Sequence, residues 1–202
     1  ATVADNSSKV IHDFRVSPIP RATIVWSYII SAFCVGLIMS LVSFVFGQFY
    51  IVLSGGQIIS FGKFIQVFGI IMLSVLMNAS ISFLIITFVK SNNAFGAVST
   101  VFGSIIGFLM GVYIPVGNLP EGLQSFIKVM PLSHPAVLMR QVMMSEAVDL
   151  SYMPKEFIHF AAVQYEWNGS VISPTSHILF ILAVTVVFFG LGVLSISRKK
   201  KQ

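Results

Sequence analysis

Read for its apolar and polar positions, the chain is four long apolar runs separated by short polar stretches. The first runs from Ile24 to Phe46, inside a charge-free stretch from Ala22 to Gly62. The second spans Phe64 to Val89, between Lys63 and Lys90; the third Ala94 to Ile114; the fourth His177 to Ser197. None of the four holds an Asp, Glu, Lys or Arg. A hydrocarbon core about 30 Å thick takes roughly 20 helical residues to cross. Without water to pair backbone N–H and C=O groups, runs of this kind must close their hydrogen bonds internally as helices. The pattern predicts an all-α integral membrane protein with four transmembrane helices.

Residues 115–176, between the third and fourth runs, are more than a plain loop. Pro120-Glu121-Gly122-Leu123 predicts a helix start with proline at the first helical position. Leu123, Phe126, Ile127 and Met130 follow at i, i+3, i+4 and i+7, which gives one apolar face. Pro131 stops that helix, and Ser133-His134-Pro135 opens a second one through Arg140 to Met144. Helices this apolar beside a span are expected to lie at the membrane interface or dip into it. Tyr165 and Trp167 approach the last span as candidate interfacial anchors.

Composition agrees with lipid as the solvent: 56% of residues are apolar, 9% are charged, and mean hydropathy is +0.92. A soluble domain carries about 25% charged residues, so this chain could not cover a water-facing surface. The net charge of +5 collects at the ends of apolar runs, above all in Arg198-Lys199-Lys200-Lys201. That placement suits anionic lipid headgroups and not a nucleic-acid groove. Lys9, Arg15, Arg21, Lys90 and Arg198 to Lys201 flank one side of the spans; Lys63, Lys128, Arg140 and Lys155 flank the other. The positive-inside rule puts the first set in the cytoplasm. Both ends and the Lys90–Asn93 turn are then inside a plasma membrane, with residues 115–176 outside.

Candidate chemistry is sparse. The phosphate-cradling pattern G-x-x-x-x-G-K-[ST] does not occur, so the chain offers no ATPase loop of its own. His12, His134, His159 and His177 have no metal-ligand spacing, and Cys34 stands alone inside an apolar run. No cofactor or metal is expected. No serine sits in G-x-S-x-G, and no span carries a His or Asp placed as its base, which leaves an intramembrane hydrolase unsupported. The neutral polar groups Asn78, Ser80, Ser82 and Thr87 in the second run, and Ser99, Thr100 and Ser104 in the third, could glue helices or line a polar route. Gly103, Gly107 and Gly111 stand at i, i+4 and i+8, a flat face for close helix packing within one chain or across a dimer.

Two segments make the chain more specific. Asp13-Phe14-Arg15-Val16-Ser17-Pro18 precedes the first span. Gly111-x-x-x-Pro115-x-x-x-Leu119-Pro120 leaves the third, followed by Pro131-Leu132-Ser133-His134-Pro135 and Arg140. In order, spacing and placement these resemble the permease subunits of bacterial type-2 ATP-binding-cassette exporters. That family has a cytoplasmic D-F-x-x-S-P stretch, a G-x-x-x-P-x-x-x-L-P span exit, and then P-x-x-H and an arginine. A family member has six spans, so the resemblance implies that this chain, which starts without Met, is the last four spans of a longer subunit.

The resemblance also implies a division of labour. Residues 1–22 would be a cytoplasmic coupling segment, with Asp13, Phe14, Arg15, Ser17 and Pro18 docking on a separate ATP-binding subunit. Pro115, Leu119, Pro120, Pro131, His134 and Arg140 would form an outer-gate segment. A second permease subunit, identical or not, would complete the path; residues 198–202 would be a basic tail at the lipid surface. The implied function is export of a small amphipathic compound, drug, peptide or lipid-linked molecule, with no catalytic site in this chain. The alternative is a membrane scaffold that anchors a cytoplasmic partner and moves nothing.

Overall fold

The computed structural model describes residues 21–89, 91–147, 150–167 and 170–198. Helix α1 is Arg21–Leu53, α2 is Phe61–Phe88 and α3 is Asn92–Leu109. Between α3 and the last long helix the chain folds as α4 (Glu121–Val129), α5 (Ser133–Ala147) and α6 (Lys155–Phe160), with single 3-10 turns at Val116–Asn118 and Leu150–Tyr152. A two-stranded antiparallel hairpin, β1 (Glu166–Trp167) with β2 (Ser170–Val171), leads into α7 (Pro174–Arg198). The protein is an all-α membrane protein. Ile29–Leu53, Phe61–Phe88 and Pro174–Ser195 are long and apolar enough to cross a membrane, and the apolar helix Asn93–Leu109 is shorter.

The boundaries differ from the sequence expectation for local reasons. α1 continues seven residues past Phe46, because the first true break is Gly55, in the left-handed region at φ +88°, followed by Gly56. The Gln48 side chain folds the following turn back by accepting from Ile59 N at 3.2 Å. α3 begins where the Ser91 hydroxyl accepts from Ala94 N, a side-chain cap. It ends at Leu109 and not at Ile114. Gly111 sits at φ +68°, with Gly111 N donating to Phe108 O and Val112 N to Gly107 O. That pair of bonds is a Schellman stop, which needs a residue free to turn left-handed.

α2 is the central helix. Its Val67, Ile71 and Val75 face Phe33, Leu37, Leu41 and Phe44 of α1, and its Ile70 and Met77 join Ile181 of α7 and Leu138 of α5. Lipid tails are as apolar as these side chains, so close van der Waals contact must hold the spans together. Small residues supply it at two points. Gly36 lets Val75 approach, and Gly192 receives the Phe83 ring. The Thr87 hydroxyl reaches Ser195 Oγ at 3.4 Å across α2 and α7.

The segment of α4 to α6, expected on the outer side, has its own core of Leu109, Val116, Ile127, Val137, Ala162 and Tyr165, called the outer core below. Pro120 is the N-cap of α4, one position before the place expected for it. Of the expected apolar face only Ile127 is fully buried, while Leu123 and Phe126 stay exposed. α5 does not lie flat on the surface: it packs into the bundle against α2 and α7 through Leu138, Met139 and Val142. Trp167 is exposed, as an interfacial anchor would be, but Tyr165 is not. Its ring is 2% exposed inside the outer core, because the chain turns inward at the end of α6 before the hairpin.

Candidate functional site

The proposed coupling residues Asp13, Phe14, Arg15, Ser17 and Pro18 lie outside the described residues. The glycine row is shorter than its spacing suggested. Gly103 and Gly107 are on α3, whereas Gly111 is the turn beyond its end. The two helical glycines also differ. A Cβ at Gly103 would meet nothing within 4 Å, but one at Gly107 would run into the Tyr113 ring folded back from the exit turn.

The six residues expected to form an outer gate all lie between the end of α3 and the middle of α5. Pro115 caps the 3-10 turn, Leu119 packs on the outer core, Pro120 caps α4, and Pro131 sits between α4 and α5. Arg140, on α5, points its guanidinium at two chain reversals at once. It donates to Met110 O at the end of α3 and to Ala162 O, at 3.5 Å, at the end of α6. Both acceptors belong to Schellman stops: at α6, Ala162 is left-handed at φ 49°, Ala162 N donates to His159 O and Val163 N to Ile158 O. Helix C-termini carry partial negative charge and unpaired carbonyls, so a planar cation with five donors suits this position. Burial pushes the guanidinium pKa down, opposed by the nearby Tyr165. Burial likewise pushes the Tyr165 hydroxyl up, against a hydrogen bond with Ser133 and the charge of Arg140.

Ser133 closes the end of α4, its hydroxyl donating to Ile127 O at 2.7 Å and to Met130 O at 2.8 Å. His134, next along, is buried against α7. Its Nδ1 is 2.6 Å from Nδ1 of His177, and its ring lies 4.2 Å from that of Phe180 between centroids. The Nε2 atoms of both histidines are buried without a hydrogen-bond partner. Burial and then the neighbouring His177 bring the His134 pKa down to about 4, against a main-chain bond at Lys128. Sequence spacing gave no hint of this pair, whose members are 43 residues apart.

The neutral polar groups of the spans divide by face. The Ser80 hydroxyl is buried and bonds back to Met77 O, and Thr87 joins α2 to α7. Asn78 and Ser82 instead line a cavity of about 330 Å³ between α1 and α2, with Ser40, Gly36 and Phe83. The Asn78 amide donates one N–H to Ser74 O at 2.8 Å. This arrangement can accommodate an apolar molecule with a few hydrogen-bonding groups; it offers no charged side chain for an ion.

Searches of curated proteins and of solved structures return no match. A family profile described as "ABC-2 family transporter protein" matches residues 1–194, nearly the whole chain. With that coverage, and a fold of long apolar helices, the chain belongs to the ABC-2 family of transporter proteins as a membrane permease subunit, the kind that works with an ATP-binding subunit.

Proposed function

We propose that this permease moves a small amphipathic compound outward, using ATP hydrolysed by its separate partner subunit. The observation that supports this reading best is the α1–α2 groove, apolar overall with Ser40, Asn78 and Ser82 along it. At about 330 Å³ it matches the low end of small-molecule sites, which run from roughly 300 to 1,000 Å³. The whole chain acts as one transmembrane domain in the plasma membrane, ends inside, on the strength of the basic-residue asymmetry. Residues 1–22 couple it to the ATPase, and the segment from Pro115 to Arg140 gates the outer end.

The test is ATP-driven uptake of a fluorescent amphipathic amine into inside-out vesicles that contain both subunits. Asn78→Leu should lower uptake severalfold at normal permease levels by making the groove wholly apolar. Arg15→Glu should abolish substrate-stimulated ATP hydrolysis, because a like-charge contact at a docking surface opposes binding by several kcal/mol. Wild-type uptake and stimulation in both variants would remove the groove and residues 1–22 from the mechanism, whereas no ATP-driven uptake by the wild type would sink the transport reading and favour a scaffold.

A second permease subunit is expected on α3. From Asn93 to Ile105 that helix is exposed at every position but Val98, including Phe95, Val101 and Phe102. The two glycines allow a clean test. Gly103→Leu has space within the chain, so it should leave thermal stability unchanged while cutting the cross-linked dimer yield several-fold. Gly107→Leu should lower stability as well, because it displaces the Tyr113 ring. A normal dimer yield in Gly103→Leu would remove α3 from the interface.

A further inference from the structure

Two cavities lie along the seam between α1 and α2, and Ser40 lines both. The first, the groove of about 330 Å³, runs from Ile29 and Ile86 to Ser40 and Val75. The second, of about 510 Å³, continues from Ser40 to Phe44, with Met139 and Met143 of α5 in its wall. From Ile29 to Phe44 the pair follows about 22 Å of helix at 1.5 Å per residue, most of a hydrocarbon core about 30 Å thick. Neutral polar groups recur along that length: Ser82, Asn78 and Ser40 in the first cavity, then Ser40, Ser74 and Ser43 in the second. Asn78, Ser82 and Ser43 are exposed, on helices long and apolar enough to cross a membrane. No residue that lines either cavity is charged.

We infer that this seam is a track for the head group of a lipid, uncharged and rich in hydroxyls as a sugar is, while the acyl chains stay in the bilayer beside it. The inference rests on the transport reading above and names the substrate class for the same groove. The second cavity carries on where that groove ends, so a head group that enters between α1 and α2 has polar partners over both.

The hydrogen bonds of the seam select the head group. The Ser43 hydroxyl donates to Met39 O at 2.8 Å and the Ser74 hydroxyl to Ile70 O at 2.6 Å. Each has then used its one donor and keeps oxygen lone pairs to offer. The Asn78 amide, with one N–H on Ser74 O, has a second N–H and a carbonyl oxygen left to offer. Such a track accepts more hydrogen bonds than it donates, which suits a ligand that brings hydroxyl donors. A phosphate, an acceptor alone, finds few donors here, and an ammonium finds no carboxylate. Either charge is also expensive at membrane depth. A free sugar would have to leave water for cavities lined mainly by apolar side chains. A lipid brings the same hydroxyls with its chains already in hydrocarbon, and the unbranched, adaptable Met139 and Met143 suit an apolar neighbour of variable shape.

The test uses the permease with its ATP-binding partner in phosphatidylcholine vesicles, the ATP-binding subunit outward. The probes are glucosylceramide and phosphatidylserine carrying the same short fluorescent acyl chain. External ATP should carry glucosylceramide to the inner leaflet, read as protection from dithionite, at least about tenfold faster than phosphatidylserine. Ser40→Val removes the hydroxyl common to both cavities at nearly constant volume, and Ser40→Thr keeps one. The valine variant should be about fivefold slower than the threonine variant, the effect of one hydrogen bond. Ser43→Val against Ser43→Thr repeats the comparison at an exposed position and decides the matter if the Ser40 variants do not assemble. Equal rates for the two lipids, or valine and threonine variants alike at both positions, overturn the track. ATP-driven uptake of the fluorescent amine into the same vesicles separates this inference from the transport reading. If the amine moves and glucosylceramide does not, the head-group class is wrong; if neither moves, the transport reading falls and the track with it. Disulfide-linked dimers through Ser43→Cys in a Cys34→Ser background would put a second permease subunit on the seam, which also overturns the track.

Discussion

Replacing Arg140 by methionine should lower the stability of the permease by about 3 kcal/mol, from the loss of two hydrogen bonds with a charged donor. The guanidinium reaches Met110 O and Ala162 O, two carbonyls at the ends of α3 and α6. Neither can recruit water easily, since Met110 is 9% exposed and Ala162 1%. Methionine keeps much of the apolar stem, so the change isolates the donor and not the packing. Arg140→Lys should fall between, because an ammonium on a flexible stem serves one carbonyl well but lacks the fork that serves two. Thermal unfolding in detergent should show a midpoint about 10 °C lower for methionine and about half that for lysine. Equal midpoints for all three would mean that the two chain reversals hold their shape unaided. The exit from α3 would then owe its geometry to Gly111 and Val116 alone.

That arginine shows where the sequence was readable and where it was not. The spans were legible because lipid imposes a length and forbids charge, two constraints visible without tertiary structure. Pro115, Pro131, His134 and Arg140 stood out through family resemblance, but their work depends on partners far along the chain. Arg140 bonds 22 residues ahead and 30 residues behind, and His134 bonds 43 ahead. No periodicity encodes such pairings. Tyr165 misled for a related reason: beside Trp167 it has the composition of an interfacial pair, yet Ala162 turns the chain so that one ring goes in and the other out.

The glycines make the point more sharply. Spacing drew attention to Gly103, Gly107 and Gly111, but a glycine matters only for what stands opposite it. Opposite Gly103 stands nothing in this chain, and Gly111 is needed for its positive φ and not for a flat face. The glycines that admit a neighbour between spans are Gly36 and Gly192, neither of which lies in a four-residue repeat with another glycine.

Gly117→Ala should be more damaging than the alanine substitution at Gly192, although both glycines lack room for a methyl group. At Gly192 a Cβ would lie 2.5 Å from Cδ1 of Phe83, an aromatic side chain that can tilt toward lipid. At Gly117 it would lie 2.6 Å from Cα of Phe160 and 3.2 Å from its carbonyl oxygen. Those are main-chain atoms at the end of α6, one residue before the cap that fixes Ala161 and Ala162. They cannot rotate away, so the 3-10 turn and α6 must separate. Overpacking of this kind costs about 1–3 kcal/mol, with rigid surroundings at the upper end. Separation would also draw Ala162 O away from Arg140 and open the outer core around Val116 and Ala162. Gly117→Ala should therefore cost about 3 kcal/mol and Gly192→Ala about 1 kcal/mol. Because it acts through the same carbonyl, Gly117→Ala combined with Arg140→Met should cost less than the two single losses added together. Thermal unfolding of the two single variants and the double variant measures both points. A fully additive double variant would separate the Gly117 contact from the Arg140 bonds. Gly117→Ala as mild as Gly192→Ala would show that the α6 backbone yields, and the outer segment would then be too pliable to act as a gate built on Arg140.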